Sequence, residues 1–186
     1  MRRWILPALM ITLLLSGCGH SGPERKLDEV QKELAAAREL AVSAEVTAFL
    51  GDERFVCDLR CTLDAERAQV EVTAPETIAG IRAVVGPEGT AIEYEEMSLG
   101  VGGYTPGAAP VSALPLLLTA LRSGSTLRSW TEWEGDRTLF VREYYVTEDA
   151  GLTVWFDAGT LQPVHAEFAR DGATALRCEI REFSYT

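Results

Sequence analysis

The chain has 186 residues, 47% of them hydrophobic and 24% charged, which is enough for one globular domain with its own core. Its formal net charge of −11 argues against nucleic acid as a partner, because phosphate contacts need a basic face and the sequence has no cluster of Lys and Arg. Two histidines and four cysteines are too few for a metal-rich or disulfide-rich scaffold.

The N-terminal 17 residues predict a secretion signal. Two arginines after Met1 are followed by an apolar run over residues 4–15. As a helix this run would span about 18 Å, well short of the ~30 Å hydrocarbon core of a membrane. A signal peptide fits that length, and a permanent transmembrane helix does not.

The apolar run ends in Leu15-Ser16-Gly17-Cys18, which resembles a bacterial lipobox. In that signal the Cys thiol receives a diacylglyceryl group and the chain is cut before it; the alternative is an ordinary secretory signal with a chance cysteine. We therefore expect a signal peptide over 1–17, a lipidated Cys18 with a tether over 18–23, and one domain over 24–186. The protein would then be anchored at the extracytoplasmic face of the cell membrane, or at the outer membrane if the source is Gram-negative.

Hydrophobic periodicity then predicts one helix followed by strands. Glu24–Ala41 has an apolar stripe at three- and four-residue steps, and from Val42 onward the period changes to two. Short turns rich in Gly, Asp and Pro separate the alternating segments, which favours an antiparallel meander. The nine predicted strands are 55–63, 70–72, 81–85, 90–94, 125–133, 138–147, 152–156, 161–169 and 173–185.

A second helix interrupts the strands. Pro115 suits its first turn and Gly124 its C-terminal cap, and the leucines between them make it apolar on most sides. About nine strands at 4.8 Å spacing form a sheet roughly 40 Å wide, which its twist will curl. The predicted fold class is mainly β (α+β): a curled antiparallel half-barrel sheet with an N-terminal helix and a mid-chain lid helix.

Two segments resemble a known family. The stretch from Ala74 to Ile81 resembles a strand junction of the lipoprotein-carrier (LolA-like and LppX-like) superfamily, and the stretch from Val154 to Pro163 resembles a hairpin of the same group. That group includes the periplasmic outer-membrane lipoprotein carrier, its receptor, and Gram-positive lipid-anchored relatives such as the clostridial spore-germination lipoprotein. The soluble carrier has no lipid anchor, so Cys18 favours the anchored relatives.

The resemblance implies a hydrophobic cavity between the sheet and its lid helices. These residues would simply be the core of a half-barrel in the alternative interpretation, since core aromatics outnumber ligand contacts. The candidates for the cavity lining are Leu116, Leu117, Leu121, Trp130, Trp133, Phe140, Trp155 and Phe168.

The cysteines after Cys18 raise the question of a disulfide. Cys57 and Cys61 share a strand face, but four residues along one strand separate their Cα atoms by roughly 13 Å, which is too far for a bridge. Cys178 lies on the apolar face of the last strand. A bridge from Cys178 to Cys57 or Cys61 is possible if those strands are neighbours, and it would leave one odd thiol. Metal binding is the weaker interpretation, because no histidine has ligand spacing to these cysteines.

Catalytic motifs are absent from the sequence. It contains no nucleophile elbow, P-loop or metal-binding motif, and His165 has no nucleophile at a recognisable spacing. We therefore expect a non-enzymatic protein without a cofactor. The first functional hypothesis is a membrane-anchored protein that binds or carries an acyl chain or similar apolar ligand. The second is an adaptor for a cell-envelope enzyme, for which the germination relatives suggest a peptidoglycan amidase.

Overall fold

The computed structural model describes residues 22–65, 67–86, 89–94, 97–101 and 109–186. The side chains of residues 94–101 are not part of this description. The predicted signal peptide and the predicted lipidation site at Cys18 lie outside the described residues. The predicted tether overlaps the first helix, which begins at Gly22.

The described chain forms one eleven-stranded antiparallel sheet and two helices. Along the sheet the strands follow the order β6-β5-β4-β3-β2-β1-β11-β10-β9-β8-β7. The elements are α1 (Gly22–Ala36), β1 (Leu40–Leu50), β2 (Glu53–Leu63), β3 (Ala68–Ala74), β4 (Arg82–Gly86), β5 (Gly89–Tyr94), β6 (Met97–Val101), α2 (Pro110–Ser123), β7 (Thr126–Glu134), β8 (Arg137–Tyr145), β9 (Ala150–Asp157), β10 (Pro163–Arg170) and β11 (Ala173–Tyr185).

Both helices pack on one face of the sheet, which we call the inner face. The alternating positions of β1 from Leu40 to Ala48 are buried there, and so are Leu27 and Leu34 of α1. Because side chains alternate across a strand, the residues between these positions point to the other face, which we call the outer face. The predicted mainly β fold, a curled antiparallel sheet with an N-terminal and a mid-chain helix, is confirmed.

The first helix is shorter than the periodicity predicted. It ends at Ala36 instead of Ala41, because Leu40 already pairs with Tyr185 and begins the central strand β1. The backbone amide of Thr186 donates to the carbonyl of Glu39 at 3.1 Å, which extends this pairing to the helix end. The nine predicted strands become eleven, because β1 and β6 are strands of their own.

The second helix begins earlier than predicted. Pro110 occupies its first turn, while Pro115 lies inside the helix. Gly124 does end it, and its amide donates to the carbonyl of Ala120 at 2.8 Å. Its backbone is extended, so close packing is what requires glycine: an added Cβ would lie 2.6 Å from the Ala120 oxygen and 2.9 Å from the Tyr144 ring. No helix in the described part of the chain is long and apolar enough to cross a membrane.

Candidate functional site

The space between α2 and the inner face is the first candidate site. Leu114, Leu117, Leu118 and Leu121 of α2 are fully buried against the sheet. Beside them a small apolar pocket of about 10 Å³ is lined by residues that include Leu116 and Phe168. A pocket of this size holds at most about one water molecule. The described interior at this point is therefore packed by the chain's own side chains.

The eight residues predicted to line one cavity are not brought together. Five of them contribute to the inner core or pack against it: Leu116, Leu117, Leu121, Phe140 and Phe168. Trp130 and Trp155 lie on the outer face, because both pair with Val141 and not with the inner positions of β8. Trp133, at the end of the edge strand β7, is 75% exposed.

A buried arginine fastens α1 to the sheet. Arg142 lies on the inner side of β8 and its side chain is fully buried. Its guanidinium donates to Asp28 Oδ1 at 2.7 Å, to the Glu24 carbonyl at 2.9 Å and to Gln31 Oε1 at 3.1 Å. A fourth bond goes to Ser129 Oγ on β7 at 3.0 Å. This fork therefore satisfies a buried charge with four acceptors, as burial of an arginine requires.

The C-terminal end of α2 is the second polar anchor. Arg122 donates to the carbonyls of Leu63, at 3.2 Å, and of Asp64. The Gln31 side chain donates to the Gly124 carbonyl at 3.0 Å, which joins α1 to the same point. The N-terminal half of α2, by contrast, presents mainly leucine, alanine and proline to the core. Hydrogen bonds thus hold one end of the lid helix, and apolar contact holds its body.

The three cysteines of the described chain, which we call the core thiols, are Cys57, Cys61 and Cys178; they are buried and unbridged. The predicted bridge from Cys178 to Cys57 or Cys61 is wrong, because β1 separates the two strands. Cys57 and Cys178 pair with Val46 from opposite sides, which places their Cα atoms roughly 10 Å apart, beyond the ~7 Å limit of a disulfide. Burial raises the pKa of Cys57 to about 11 and that of Cys61 to about 12.

The outer face carries a second candidate site around two tryptophans. The indole of Trp130 donates to Glu132 Oε1 at 2.7 Å, and the indole of Trp155 donates to Glu132 Oε2 at 2.8 Å. Val141, which pairs with both tryptophans, is fully buried although it lies on the outer face. One carboxylate thus fixes both rings across three strands, on either side of the buried Val141.

His165 extends this cluster onto β10. Its ring forms a T-shaped contact with the Trp155 indole, with ring centroids 4.8 Å apart. Its Nδ1 is 3.0 Å from a Glu179 oxygen, and its Nε2 is 3.3 Å from a Glu167 oxygen. A carboxylate can only accept, so both contacts are hydrogen bonds when the imidazole carries two protons. The histidine that the sequence left without a nucleophile is therefore placed between two acids.

These residues border an open groove on the outer face, which we call the outer groove, with a volume of about 450 Å³. Apolar and charged groups share its lining, and no group of three or more His, Cys, Asp or Glu residues among those described could hold a metal ion. The lining consists of Glu132, Trp133, Glu134, Arg137, Leu139, Trp155, Val164, His165 and Glu179.

Sequence reasoning missed the two residues that organise these sites, Arg142 and Glu132. A signal for Arg142 was present, since it alternates with Phe140 and Tyr144 and therefore shares their inner face. Glu132 likewise lies two residues from Trp130, on the same face of β7. Alternation identifies the shared face, but it does not show which distant element supplies the hydrogen-bonding partners.

Comparison with known proteins supports the fold. No family model and no curated protein matches the sequence. A solved structure of a DUF1329 family protein from Desulfovibrio piger has a TM-score of 0.53 at 10% identity, over 86% of this chain and 90% of that one. An uncharacterized conserved protein from Thermus thermophilus has a TM-score of 0.50 at 10% identity, over 87% and 86%.

A third solved structure is a domain from Vibrio parahaemolyticus assigned to outer membrane lipoprotein sorting, with a TM-score of 0.47 at 12% identity, over 87% and 91% of the two chains. At such identities the likeness concerns the fold alone. The curled antiparallel sheet with two helices is thus a fold that this chain shares with the first two of these structures, and the resemblance to the lipoprotein-carrier superfamily stays a prediction from the sequence.

Proposed function

We propose that this protein is a lipid-anchored extracytoplasmic binding protein that holds an acyl chain or similar apolar ligand between α2 and the inner face of the sheet. One observation carries the proposal: the body of α2 contacts the sheet through apolar side chains, whereas hydrogen bonds hold its C-terminal end. These run from Arg122 to the Leu63 carbonyl and from Gln31 to the Gly124 carbonyl. Apolar contact is non-directional, so an apolar ligand can replace it without leaving polar groups unsatisfied.

The free energy lost when α2 leaves the sheet and the free energy gained when an acyl chain is buried are of similar size. Exposing four buried leucines costs about 6–12 kcal/mol at about 1.5–3 kcal/mol each. A saturated chain of about 16 carbons returns roughly 12 kcal/mol at about 0.8 kcal/mol per methylene. A long acyl chain therefore offsets the displacement of α2, and a short one does not.

Native mass spectrometry of residues 19–186 tests this proposal, with hexadecanoate as the offered ligand. We expect a one-to-one adduct, and we expect Leu117→Ala to increase its occupancy, because the substitution weakens the closed packing of α2. Leu127→Ala is the matched control, since Leu127 is 58% exposed on β7 and should leave occupancy unchanged. No adduct in any of the three proteins would reject the carrier function.

A second candidate function is an adaptor that binds a cell-envelope enzyme, with a peptidoglycan amidase as the class suggested by the sequence resemblance. The packed pocket of about 10 Å³ beneath α2 and the outer groove of about 450 Å³ favour it. Its test is binding of the purified amidase of the source cell to the lipidated chain, with and without hexadecanoate. Adaptor binding is expected to be independent of the fatty acid, and a protein that takes up hexadecanoate but not the amidase would rule it out.

A further inference from the structure

We propose that the outer groove docks a basic segment of a partner protein, with an arginine or lysine side chain held beside Trp155. The site is on the face of the sheet opposite α2, so the inference is independent of the ligand proposed for the interior. If the protein is an adaptor, this inference gives the chemical character of the partner segment that it binds, which is basic.

The charge of the outer groove is unbalanced. Three carboxylates line it, those of Glu132, Glu134 and Glu179. Arg137 is the arginine among the lining residues, so the negative charges outnumber its positive charge. Arg137 also lies 3.7 Å from Asp157, so part of its attraction is directed to a carboxylate outside the lining. The groove is therefore complementary to a cation.

The outer face already shows how this chain uses cations beside its aromatic rings. The guanidinium of Arg128 lies 4.9 Å from the centre of the Trp130 ring, and those of Arg54 and Arg177 each lie 5.6 Å from the centre of Phe49. Such pairs are favourable because the ring face is negative. Trp155 instead makes a T-shaped contact with the His165 ring. A partner's guanidinium in the outer groove would give Trp155 the same kind of contact.

The arrangement is rigid before any partner arrives. Glu132 is held by both indole donors, and Trp155 pairs across the strands with the fully buried Val141. Preorganised groups lose little conformational entropy on binding, so a basic side chain meets a formed site. A second copy of this chain is a poor occupant, because its net charge is −11 and the two acidic grooves would repel each other.

The test uses the full chain, purified in a non-ionic detergent, and a fluorescein-labelled hexapeptide of alternating arginine and glycine. Binding is followed by fluorescence anisotropy at 150 mM salt, where exposed charges more than about 8 Å apart are largely screened. The control peptide has citrulline, a neutral isostere, in place of arginine. The test variant is Glu134→Gln/Glu179→Gln. The matched variant is Glu71→Gln/Glu93→Gln, which removes the same charge from another outer-face groove that contains Arg60 and Arg82.

We expect the arginine peptide to bind and the citrulline peptide not to bind. The Glu134→Gln/Glu179→Gln variant should bind the arginine peptide at least tenfold more weakly, and the Glu71→Gln/Glu93→Gln variant less than twofold more weakly. Equal weakening by the two pairs would show unspecific attraction to an acidic protein and would overturn the proposal. So would absence of arginine-peptide binding, or displacement of the peptide by an uncharged chito-oligosaccharide, which would make the groove a glycan site.

Discussion

Replacing Arg142 by Met removes the buried fork that fastens α1 to the sheet. The substitution deletes four hydrogen bonds and the ion pair with Asp28, while a side chain of similar length still fills the space. Breaking a buried ion pair typically costs about 3–5 kcal/mol. The carboxylate left behind is 41% exposed and regains water, which lowers the expected loss to about 3 kcal/mol.

A loss of this size is a large part of the stability of a domain, which is typically about 5–15 kcal/mol. Arg142→Lys should lose less stability, about 2 kcal/mol. The lysine ammonium keeps the positive charge, but it cannot reach all the acceptors that the planar guanidinium contacts. Urea unfolding of residues 19–186, followed by circular dichroism and by tryptophan fluorescence, measures both losses. In trypsin digests, Arg142→Met should also expose Lys26 and Lys32 of α1 to faster cleavage.

Arg181→Met is the matched control. Arg181 also contacts two carboxylates, Asp58 at 2.7 Å and Glu45 at 3.1 Å, but its side chain is 53% exposed. Its removal should change the free energy of unfolding much less, since exposed ion pairs contribute little. The reasoning is refuted if Arg142→Met stays within about 1 kcal/mol of the wild type, or if the two methionine variants lose the same stability.

Three further predictions concern packing, thiols and the anchor. Gly124→Ala should lower the free energy of unfolding by about 1–3 kcal/mol, because its Cβ would collide with the Ala120 carbonyl and the Tyr144 ring; an unchanged urea midpoint would contradict this. Burial raises the pKa of Cys57 to about 11, so the neutral thiol contributes stability below its unfolded pKa near 9, and that contribution is lost as the pH rises from about 9 through 11. The core thiols should accordingly resist iodoacetamide at pH 8 until the domain is unfolded in urea, and rapid labelling of the native protein would disagree with this burial. Cys18→Ser should move the protein from the membrane to the soluble fraction, because an acidic domain has no attraction to an anionic bilayer; retention on the membrane would point to another anchor.

The sequence was sufficient for the main architecture because its apolar periods are strong. The helical stripe of α1, the leucine-rich α2 and the alternating strands each identify an element independently of the rest. β1 was not recognised as a separate strand because alanines at 44 and 48 weaken its alternation. Its identity as a strand depends on pairing with β2 and β11, which lie far apart in the chain.

The candidate sites were harder to predict, because their partners come from separate elements. Trp155 was predicted to line the cavity, although Val154 and Phe156, which flank it, occupy the buried face of β9. The contact between Glu132 and Trp155 depends on β8 lying between β7 and β9. The predicted meander gives that order, but it does not give the strand register that brings the Glu132 carboxylate to the Trp155 indole, so the outer groove could not be predicted from spacing alone.

The order of strands in the sheet also has a consequence for how the chain folds. β1 to β6 and β7 to β11 are two runs in which each strand pairs with its neighbour in sequence, so both can form by local hairpin closure. The two runs join through β1, whose pairing with β11 brings Leu40 opposite Tyr185. Closing that seam spans most of the chain and carries the largest loop-closure entropy in the sheet. Folding should therefore be limited by this one long-range pairing, and the alanine-rich β1 strand is where substitutions would most directly slow it.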